Sequence, residues 1–389
     1  MRASPVEESN WRFSLCVACA LLSAVVQPGR ADEEVATTEL LSSEQWQQVD
    51  HAVERGLEWL ASTQQRDGSF PTLPQGQPGV TSLCILSFLS HGHLPGEGRF
   101  GDQLNRAVDY VIGCQKRNGV LALTAPNTQR LTRKVSYLVG STAAYNHAIS
   151  GLALSETYGL QSSRASDNVR PAVRKALEVT LEMQDWPKDL AADRGGWRYL
   201  LDFDRDDSDV SITGWHLMFL RSAKNAGFDV PKQPVDEAVS YVRGCFRPTS
   251  NTFVYTNSAE YANYRSRGIS GAGILALAHA GQHHTPEAMA AGEWLLKNGF
   301  NQYNHNPVYL ERYHYGLLTC SQAMYQLGGK YWKNFFPSTA RTLVNSQRPD
   351  GSWQRESHHR DQMYGEAYTT AICLITLGTP NDLLPIFQR

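Results

Sequence analysis

The sequence lacks an excess of charge of either sign. Its 36 lysines and arginines nearly balance its 38 aspartates and glutamates, for a formal net charge of -2. A chain this balanced gives no reason to expect nucleic acid or an anionic lipid surface as a partner. Hydrophobic residues make up 41% of the 389 residues, which is typical of a globular protein. No linker, low-complexity run or break in composition divides residues 32–389, so we expect a single domain there.

Cysteine is scarce, and beyond residue 31 no Cys-x-x-Cys pair occurs. The five remaining cysteines are Cys84, Cys114, Cys245, Cys320 and Cys373. Three of them lie in apolar segments, where a thiol behaves as a small hydrophobic group. The other two, Cys114 and Cys245, fall in non-adjacent repeats, so we expect no disulfide between them. An odd number in an exported protein leaves at least one thiol free or paired between chains.

The N-terminus has the features of a targeting segment. Arg2 and Arg12 precede an apolar run over 13–26, Pro28 ends it, and Gly29-Arg30-Ala31 offers the small residues that signal peptidase reads. The run is too short to span a bilayer comfortably. We therefore predict a cleaved signal peptide over residues 1–31 and export to the periplasm or the medium, with no stable membrane anchor after cleavage.

A short phrase recurs along the chain: an apolar or aromatic residue, a hydroxyl residue, a small residue and then an apolar run. Its clearest copy is Ile212-Thr213-Gly214 within residues 208–220. The other copies begin at Val80, Ile149, Ile269, His314 and Tyr368. Six copies separated by roughly 45 to 70 residues are typical of helical-hairpin repeats.

An amphipathic pattern precedes each phrase and predicts an outer helix. These patterns cover Trp46–Gln65, Ala107–Gln115, Ala172–Met183, Val235–Cys245, Pro286–Lys297 and Ser338–Gln347. The phrase helices carry little charge, as expected of helices buried on most sides, and Gly151, Gly214, Gly271 and Gly316 should let them approach closely. We predict an all-α fold with almost no strand, an (α/α)6 toroid of six hairpins whose inner helices line a funnel. An open right-handed solenoid is the alternative.

Two turn motifs carry a family resemblance. Gln65-Arg66-Asp67-Gly68-Ser69-Phe70 and Gln347-Arg348-Pro349-Asp350-Gly351-Ser352-Trp353 resemble the Q-x-x-D-G-x-W motif of squalene–hopene cyclases. With the apolar phrase, they are similar to the prenyltransferase and squalene-oxidase repeat family over nearly all of residues 32–389. In physical terms the glutamine ends an outer helix, Asp-Gly makes the turn, and the aromatic ring packs back on the helix end.

The cyclase branch of that family implies acidic catalytic residues. There a D-x-D-D motif protonates an alkene, and this sequence contains a literal match at Asp204, Asp206 and Asp207, with Asp209 close behind. Aligning the apolar run instead places Asp209, Ser211 and Ile212 in the acidic positions, which leaves only the first acid. On that register Asp209 caps the following helix, and residues 204–207 should be solvated and ionised.

The other branches imply groups that this sequence lacks. Matching Tyr315-Gly316-Leu317 to the helix start of protein prenyltransferase β subunits places Arg312 where the zinc-binding histidine should be, and no Asp-x-Cys pair precedes it. The G-C-G-E-Q motif of thioester domains is also absent. His358, His359 and Asp361 look like a metal cluster, but adjacent histidines point apart on most backbones, so we expect them to be exposed. We predict no metal and no other cofactor.

The starts of the inner helices should meet at one mouth of the toroid. Polar and aromatic residues cluster there, and the candidate ligand-binding residues are His147, Trp215, His216, Arg312, His314, Glu366 and Tyr368. We expect a toroid that binds a small apolar or carbohydrate ligand in its funnel without intact cyclase or prenyltransferase chemistry. The alternatives are a terpene cyclase that uses residues 204–209, or an exported polysaccharide hydrolase or lyase, with Asp209 and Glu366 as paired carboxylates and Trp215 as a sugar platform.

Overall fold

Outer and inner helices alternate along the chain in the computed structural model. It describes residues 40–158, 163–202, 207–261, 264–308 and 311–388, of which the side chains of 163–166 are not described, within a compact unit, Glu34–Arg389. The outer helices are α1 (Ser43–Thr63), α3 (Gly101–Gly113), α5 (Ser163–Gln184), α7 (Lys232–Gly244), α9 (Pro286–Lys297) and α11 (Gly329–Ser346). The inner helices are α2 (Gly79–Leu89), α4 (Tyr137–Thr157), α6 (Val210–Asn225), α8 (Arg267–His279), α10 (Tyr313–Leu327) and α12 (Gly365–Gly378).

Short elements connect these helices. Strands β1 (Phe246–Arg247) and β2 (Thr252–Phe253) form an antiparallel pair with Phe246 opposite Phe253. Single 3-10 turns lie at Pro74–Gly76, Ala191–Asp193, Ala259–Tyr261, Gln362–Tyr364 and Thr379–Asn381. Among the described residues, no helix is both long enough and apolar enough to cross a membrane.

The inner helices form a closed ring. Each contacts the next in chain order, from α2 to α12, and α12 packs against α2. Each outer helix packs on the inner helix that precedes it, and α1 packs on α12, so the first and last helices meet. Burial follows this arrangement, because every residue of α2 is buried whereas α1 buries one stripe: Val49, Ala52, Gly56, Leu57 and Leu60. The open solenoid is therefore excluded.

Several helices begin earlier than the sequence pattern predicted. Helix α3 begins at Gly101, α5 at Ser163 and α11 at Gly329, and α4 begins at Tyr137, well before its phrase. In α11 the helix continues through Pro337, because the aromatic residues before the proline are buried against the ring. Periodicity read from the proline onward misses that first half.

Close approach requires glycine at some of the expected positions. A Cβ on Gly271 would lie 2.8 Å from the backbone nitrogen of Cys320 on α10, and one on Gly151 would lie 2.6 Å from the ring of Phe219 on α6. A Cβ on Gly214 would meet nothing closer than 3.5 Å, an ordinary contact. Two of the inner-helix contacts therefore depend on glycine, and the one at Gly214 does not.

The turn motif ties each outer helix to the next. The Nε2 group of Gln347 donates to the carbonyl of Gly351 in its own turn and to that of Ala52 on α1. Three other glutamines make the same two hydrogen bonds, one within their own turn and one to a carbonyl on the next outer helix. They are Gln64, Gln115 and Gln184, and the helices are α3, α5 and α7 respectively. The motif glutamine of the first turn is thus Gln64, which lies four residues before Gly68. The assignment of Gln65 from the sequence motif was wrong.

The residue after each of these turns is bonded to the following inner helix. The backbone N–H groups of Phe70, Trp197 and Trp353 donate to the hydroxyls of Thr81, Thr213 and Thr370. In the second turn the N–H of Leu121 donates instead to Nδ1 of His147, at 3.2 Å. His147 therefore occupies the position of the hydroxyl residue on α4, which the phrase had assigned to Ser150.

Three inner helices are capped by a side chain from the hairpin that follows. Asn146 on α4 accepts from the N–H of Gly79 on α2, at 3.0 Å. Glu311 accepts from the N–H of Arg267 on α8, at 3.1 Å, and Glu356 from that of His314 on α10, at 3.0 Å. Each cap satisfies a free amide at a helix start, so neighbouring hairpins complete one another.

Residues 379–388, here called the C-terminal strap, cross the end of the ring where the inner helices finish. Its Thr379 hydroxyl accepts from Gln322 on α10, and its Asn381 donates to the carbonyl of Ser90 after α2. Further along, Asn225 on α6 donates to the carbonyl of Pro385, and the N–H of Ile386 donates to Glu156 on α4. The strap therefore links helices on opposite sides of the ring.

Candidate functional site

A cavity of about 450 Å³ opens among the starts of the inner helices. Its inner wall is apolar: Val80, Leu83, Ile149, Trp215, Ile269 and Ile372. Nine tyrosines among the described residues surround that wall: Tyr137, Tyr145, Tyr199, Tyr255, Tyr261, Tyr264, Tyr315, Tyr364 and Tyr368. The volume suits a drug-sized ligand, and the lining is mainly aromatic and aliphatic with scattered hydroxyls.

Charge in the cavity wall is largely compensated. Asp361 is the lining carboxylate among the described residues, and it pairs with Arg312 at 3.0 Å. Arg198 also lines the cavity and pairs with Asp209 at 3.2 Å, while its guanidinium lies over the rings of Tyr199 and Tyr255. These pairs hold Arg198 and Arg312 against the wall, whereas Arg360, which also lines the cavity, is exposed. No free carboxylate faces the cavity in the part of the chain that the structure describes.

Asp209 is the N-cap of α6, as the sequence predicted. Its Oδ1 accepts from the N–H of Ile212 at 2.8 Å, and its Oδ2 accepts from Arg198. Burial raises the pKa of Asp209 to about 6, and the Arg198 guanidinium partly offsets that rise. Both of its bonds favour the ionised carboxylate. Asp209 lies behind Tyr199 and Tyr255, whose hydroxyls share a 2.8 Å bond, and it does not itself line the cavity.

The described part of the literal acidic motif, Asp207, does not line the cavity. Asp204 and Asp206 lie outside the described residues. Asp207 is buried, not solvated as the sequence suggested, because its carboxylate accepts from the N–H of Asp189 at 2.8 Å and pairs with Arg133 at 3.4 Å. That contact holds two connecting loops together, and Asp207 does not line the cavity.

The three histidines expected at the mouth lie behind the wall. His147 and His216 are buried between α4, α5 and α6, where both rings approach the hydroxyl of Thr180, and His216 stacks on Trp197 with ring centroids 5.0 Å apart. Burial lowers the pKa of His147 to about 4 and that of His216 well below its usual value. His314 pairs with Glu356 at 2.9 Å. None of these three lines the cavity.

The remaining candidates divide between the cavity and the surface. Trp215, Arg312 and Tyr368 line the cavity. Glu366 does not: it is partly exposed and lies 3.5 Å from Arg355 and 3.8 Å from Arg348. Asp209 and Glu366 therefore do not face each other across the cavity, which removes the carboxylate pair that glycoside hydrolysis requires.

The residues considered for metal binding contact other side chains, and the cysteines considered for disulfides do not line the cavity. Among the described residues, no group of three or more His, Cys, Asp or Glu side chains could hold a metal ion. His358 is buried, not exposed as expected, and its ring stacks on His359 at 4.5 Å, while Asp361 pairs with Arg312. The five cysteines are free and buried: Cys84, Cys114, Cys245, Cys320 and Cys373.

Sequence reasoning missed several wall residues. It did not single out Arg198, Tyr199, Tyr255 or Tyr261, which lie in loops between helices and follow no period. It used Tyr315 in the repeated phrase and in the prenyltransferase match but did not name it as a ligand-binding residue, although that side chain lines the cavity. The signal that could have found them is the concentration of tyrosine just before the inner helices.

Comparison with known proteins decides the fold. No protein-family model and no curated protein matches the sequence. Among solved structures, D-mannose isomerase is 12% identical over 87% of this chain and 98% of that chain, with a TM-score of 0.58. Cellobiose 2-epimerase from Bacillus thermoamylovorans is 14% identical over 85% and 98%, with a TM-score of 0.56. The apo type II terpene cyclase MstE from Scytonema is 13% identical over 87% and 99%, with a TM-score of 0.52. The chain is an α/α toroid.

Those similarities concern the fold alone, since all are far below the identity at which activity transfers. The toroid nevertheless explains why the cavity lies where it does. The inner helices start at one face of the ring and bring their first turns together, and residues of those turns form part of the wall.

Proposed function

We propose that this toroid binds an apolar, isoprenoid-type ligand in its central cavity and does not protonate it as a cyclase would. The observation that supports this most is the composition of the wall: aliphatic side chains and Trp215 inside, tyrosines around them, and one carboxylate already paired with Arg312. Burying an apolar ligand against such a surface is favourable in proportion to the area removed from water. A sugar would need many more free hydrogen-bonding groups.

The carboxylates support the second half of the proposal. A group that protonates an alkene must be protonated itself and must face the substrate. The bonds of Asp209 to Ile212 and Arg198 favour its ionised form, the residue does not line the cavity, and Ser211 takes the facing position on α6. Among the described residues, no acid that is free to protonate a ligand faces the cavity.

Ligand binding tests the proposal directly. The purified protein should bind geranylgeraniol delivered from cyclodextrin, and Ile149→Trp, which fills the cavity, should weaken binding at least about tenfold. Leu383→Trp is the matched control, because it adds the same ring at an exposed site on the C-terminal strap. Equal binding by both variants, or no binding by the parent protein, would contradict the proposal. Cyclised product after incubation would contradict the absence of protonation.

Export remains part of the proposal. The apolar run and cleavage site over residues 1–31 lie outside the described residues, so the support is the sequence pattern alone. Mass spectrometry of the secreted chain should then find an N-terminus at Asp32, and a chain retained in the cell with an intact N-terminus would oppose it.

A further inference from the structure

Three hydroxyl groups from three inner helices meet in the cavity wall. Tyr145 on α4 donates to the hydroxyl of Ser211 on α6, at 3.1 Å. Tyr315 reaches the same place from α10 by crossing α8 at Gly268, where a Cβ would lie 2.7 Å from the tyrosine ring. Burial raises the pKa of Tyr315, and a hydrogen bond with the Ser211 hydroxyl partly offsets that rise. All three residues line the cavity.

One hydrogen of this group of hydroxyls has no acceptor. The Tyr315 hydroxyl is buried and lies within hydrogen-bond reach of the Ser211 hydroxyl. Ser211 already accepts from Tyr145, so whichever of Ser211 and Tyr315 donates to the other, the second keeps a hydrogen for which the described part of the chain offers no acceptor. Buried polar groups in native proteins are nearly always paired, so this unused donor points to a partner that the protein does not itself supply.

Other polar groups of the wall are already engaged. Tyr199 and Tyr255 bond to each other. Ser141 and Thr142 donate to the carbonyl of Leu138, and Asn146 is bonded to Gln75 and Gly79. These wall groups are therefore not available to a ligand in the way that the unused donor of Ser211 and Tyr315 is.

Their surroundings define the ligand chemistry. One helical turn beyond Tyr145 lies Ile149, and one turn beyond Ser211 lies Trp215, so the hydroxyls sit at the edge of the apolar inner wall. The nearest carboxylate, Asp209, is held by Arg198 and by the α6 amide. The hydroxyls are thus neutral donors beside a carboxylate that is already paired, which suits a neutral oxygen with lone pairs.

We propose that Ser211 and Tyr315, oriented by Tyr145, form a subsite for one neutral oxygen, an alcohol or carbonyl, on an otherwise apolar ligand. The inference rests on the proposed function, because the apolar remainder of the ligand would occupy the cavity described above. It names the ligand class more closely: an oxygenated isoprenoid and not a hydrocarbon. A site built to hydrogen-bond an oxygen rejects an analogue that lacks it, because its own buried groups are then left unpaired.

A ligand series with one skeleton tests the subsite. Equilibrium binding is measured for geranylgeraniol, for the aldehyde of the same skeleton, and for the hydrocarbon with a methyl group in place of the CH2OH group. The alcohol and the aldehyde should each bind at least about tenfold tighter than the hydrocarbon. The aldehyde, which only accepts hydrogen bonds, should keep the advantage because the donors belong to the protein.

Variants then assign the preference to residues. Ser211→Ala and Tyr315→Phe should each bring the alcohol-to-hydrocarbon ratio towards one while the hydrocarbon still binds. Ser270→Ala and Tyr158→Phe remove the same hydroxyls at positions that do not line the cavity, and they should keep the parent ratio. Melting curves confirm that all four variants are folded.

The outcomes separate the two proposals. If alcohol and hydrocarbon bind the parent protein equally, or if the ratio survives in both cavity variants, the oxygen subsite is wrong while apolar binding stands. If none of the three ligands binds, the proposed function fails and the subsite fails with it.

Discussion

Asp209 shows how one residue can satisfy a sequence pattern and still have a different role. It occupies the first acidic position of a cyclase-like register, yet the structure uses it as the cap of α6 and as the partner of Arg198. The cap was predictable, because an aspartate before an apolar helix is a common N-cap. The arginine was not, because Arg198 belongs to a separate loop that no period connects to α6.

We predict that Asp209→Ala destabilises the protein by about 3 kcal/mol, more than a lost cap alone, because it leaves the buried Arg198 guanidinium without its carboxylate. Ser136→Ala is the control, since Ser136 caps α4 at the surface and should cost about 1 kcal/mol. Urea unfolding measures both. Equal losses for the two variants would show that the Arg198 contact contributes nothing.

Among the elements, the turn glutamines connect successive outer helices. Each of the four joins its own turn to the next outer helix, and the Asp-Gly turns place their glycines at φ +92° in both Gly68 and Gly351. Such a φ favours glycine, and a Cβ on Gly351 would also lie 2.4 Å from the carbonyl oxygen of Arg55. The motif therefore has a structural role, which is to hold each outer helix to the next.

We predict that Gln64→Ala lowers the free energy of unfolding by about 2 kcal/mol, because two carbonyls lose their donor. Gln65→Ala, one residue along, should cost less than about 1 kcal/mol, because Gln65 is exposed and its side-chain oxygen accepts from the nearby Ser69 hydroxyl. Thermal melting of the pair is the measurement. A larger loss for Gln65→Ala would restore the original motif assignment.

At the scale of helices, the sequence predicted the segments that follow the repeat and missed the segments that do not. Helix α9 has the predicted bounds, and the alternation of amphipathic and apolar helices led to the right fold. The first halves of α4 and α11 were missed because polar or proline-containing segments there become helical only through packing against neighbours. The wall of the cavity was predicted in part, at Trp215, Arg312 and Tyr368, since only residues next to a repeat could be placed.

At the scale of the whole molecule, the C-terminal strap connects the inner helices at the end of the ring opposite the cavity. Glu156 on α4 is buried there and accepts from the hydroxyl of Ser222 and from the N–H of Ile386. Burial raises the pKa of Glu156 to about 7, and these two bonds partly offset the rise. The strap therefore lies over a carboxyl group that titrates near neutrality.

We predict that stability depends on pH through this group. Because the folded pKa of Glu156 lies above the unfolded value of about 4.3, its stabilising contribution is fully present below that value and is lost as the pH rises through 7. The free energy of unfolding of the parent protein, relative to Glu156→Gln, should fall by about 3 kcal/mol between pH 4 and pH 8. Denaturant titrations across that range measure it, and a constant difference would contradict the prediction.

The capping of α2, α8 and α10 by the hairpins that follow them bears on how the ring opens. In an open array of repeats, a terminal unit can fray while the rest persists. Here the amides of Gly79, Arg267 and His314 are exposed to exchange only when a different hairpin moves away. Their hydrogen-exchange protection should therefore be set by opening of the neighbouring hairpin, which makes these three amides reporters of cooperation between hairpins and not of fraying within one.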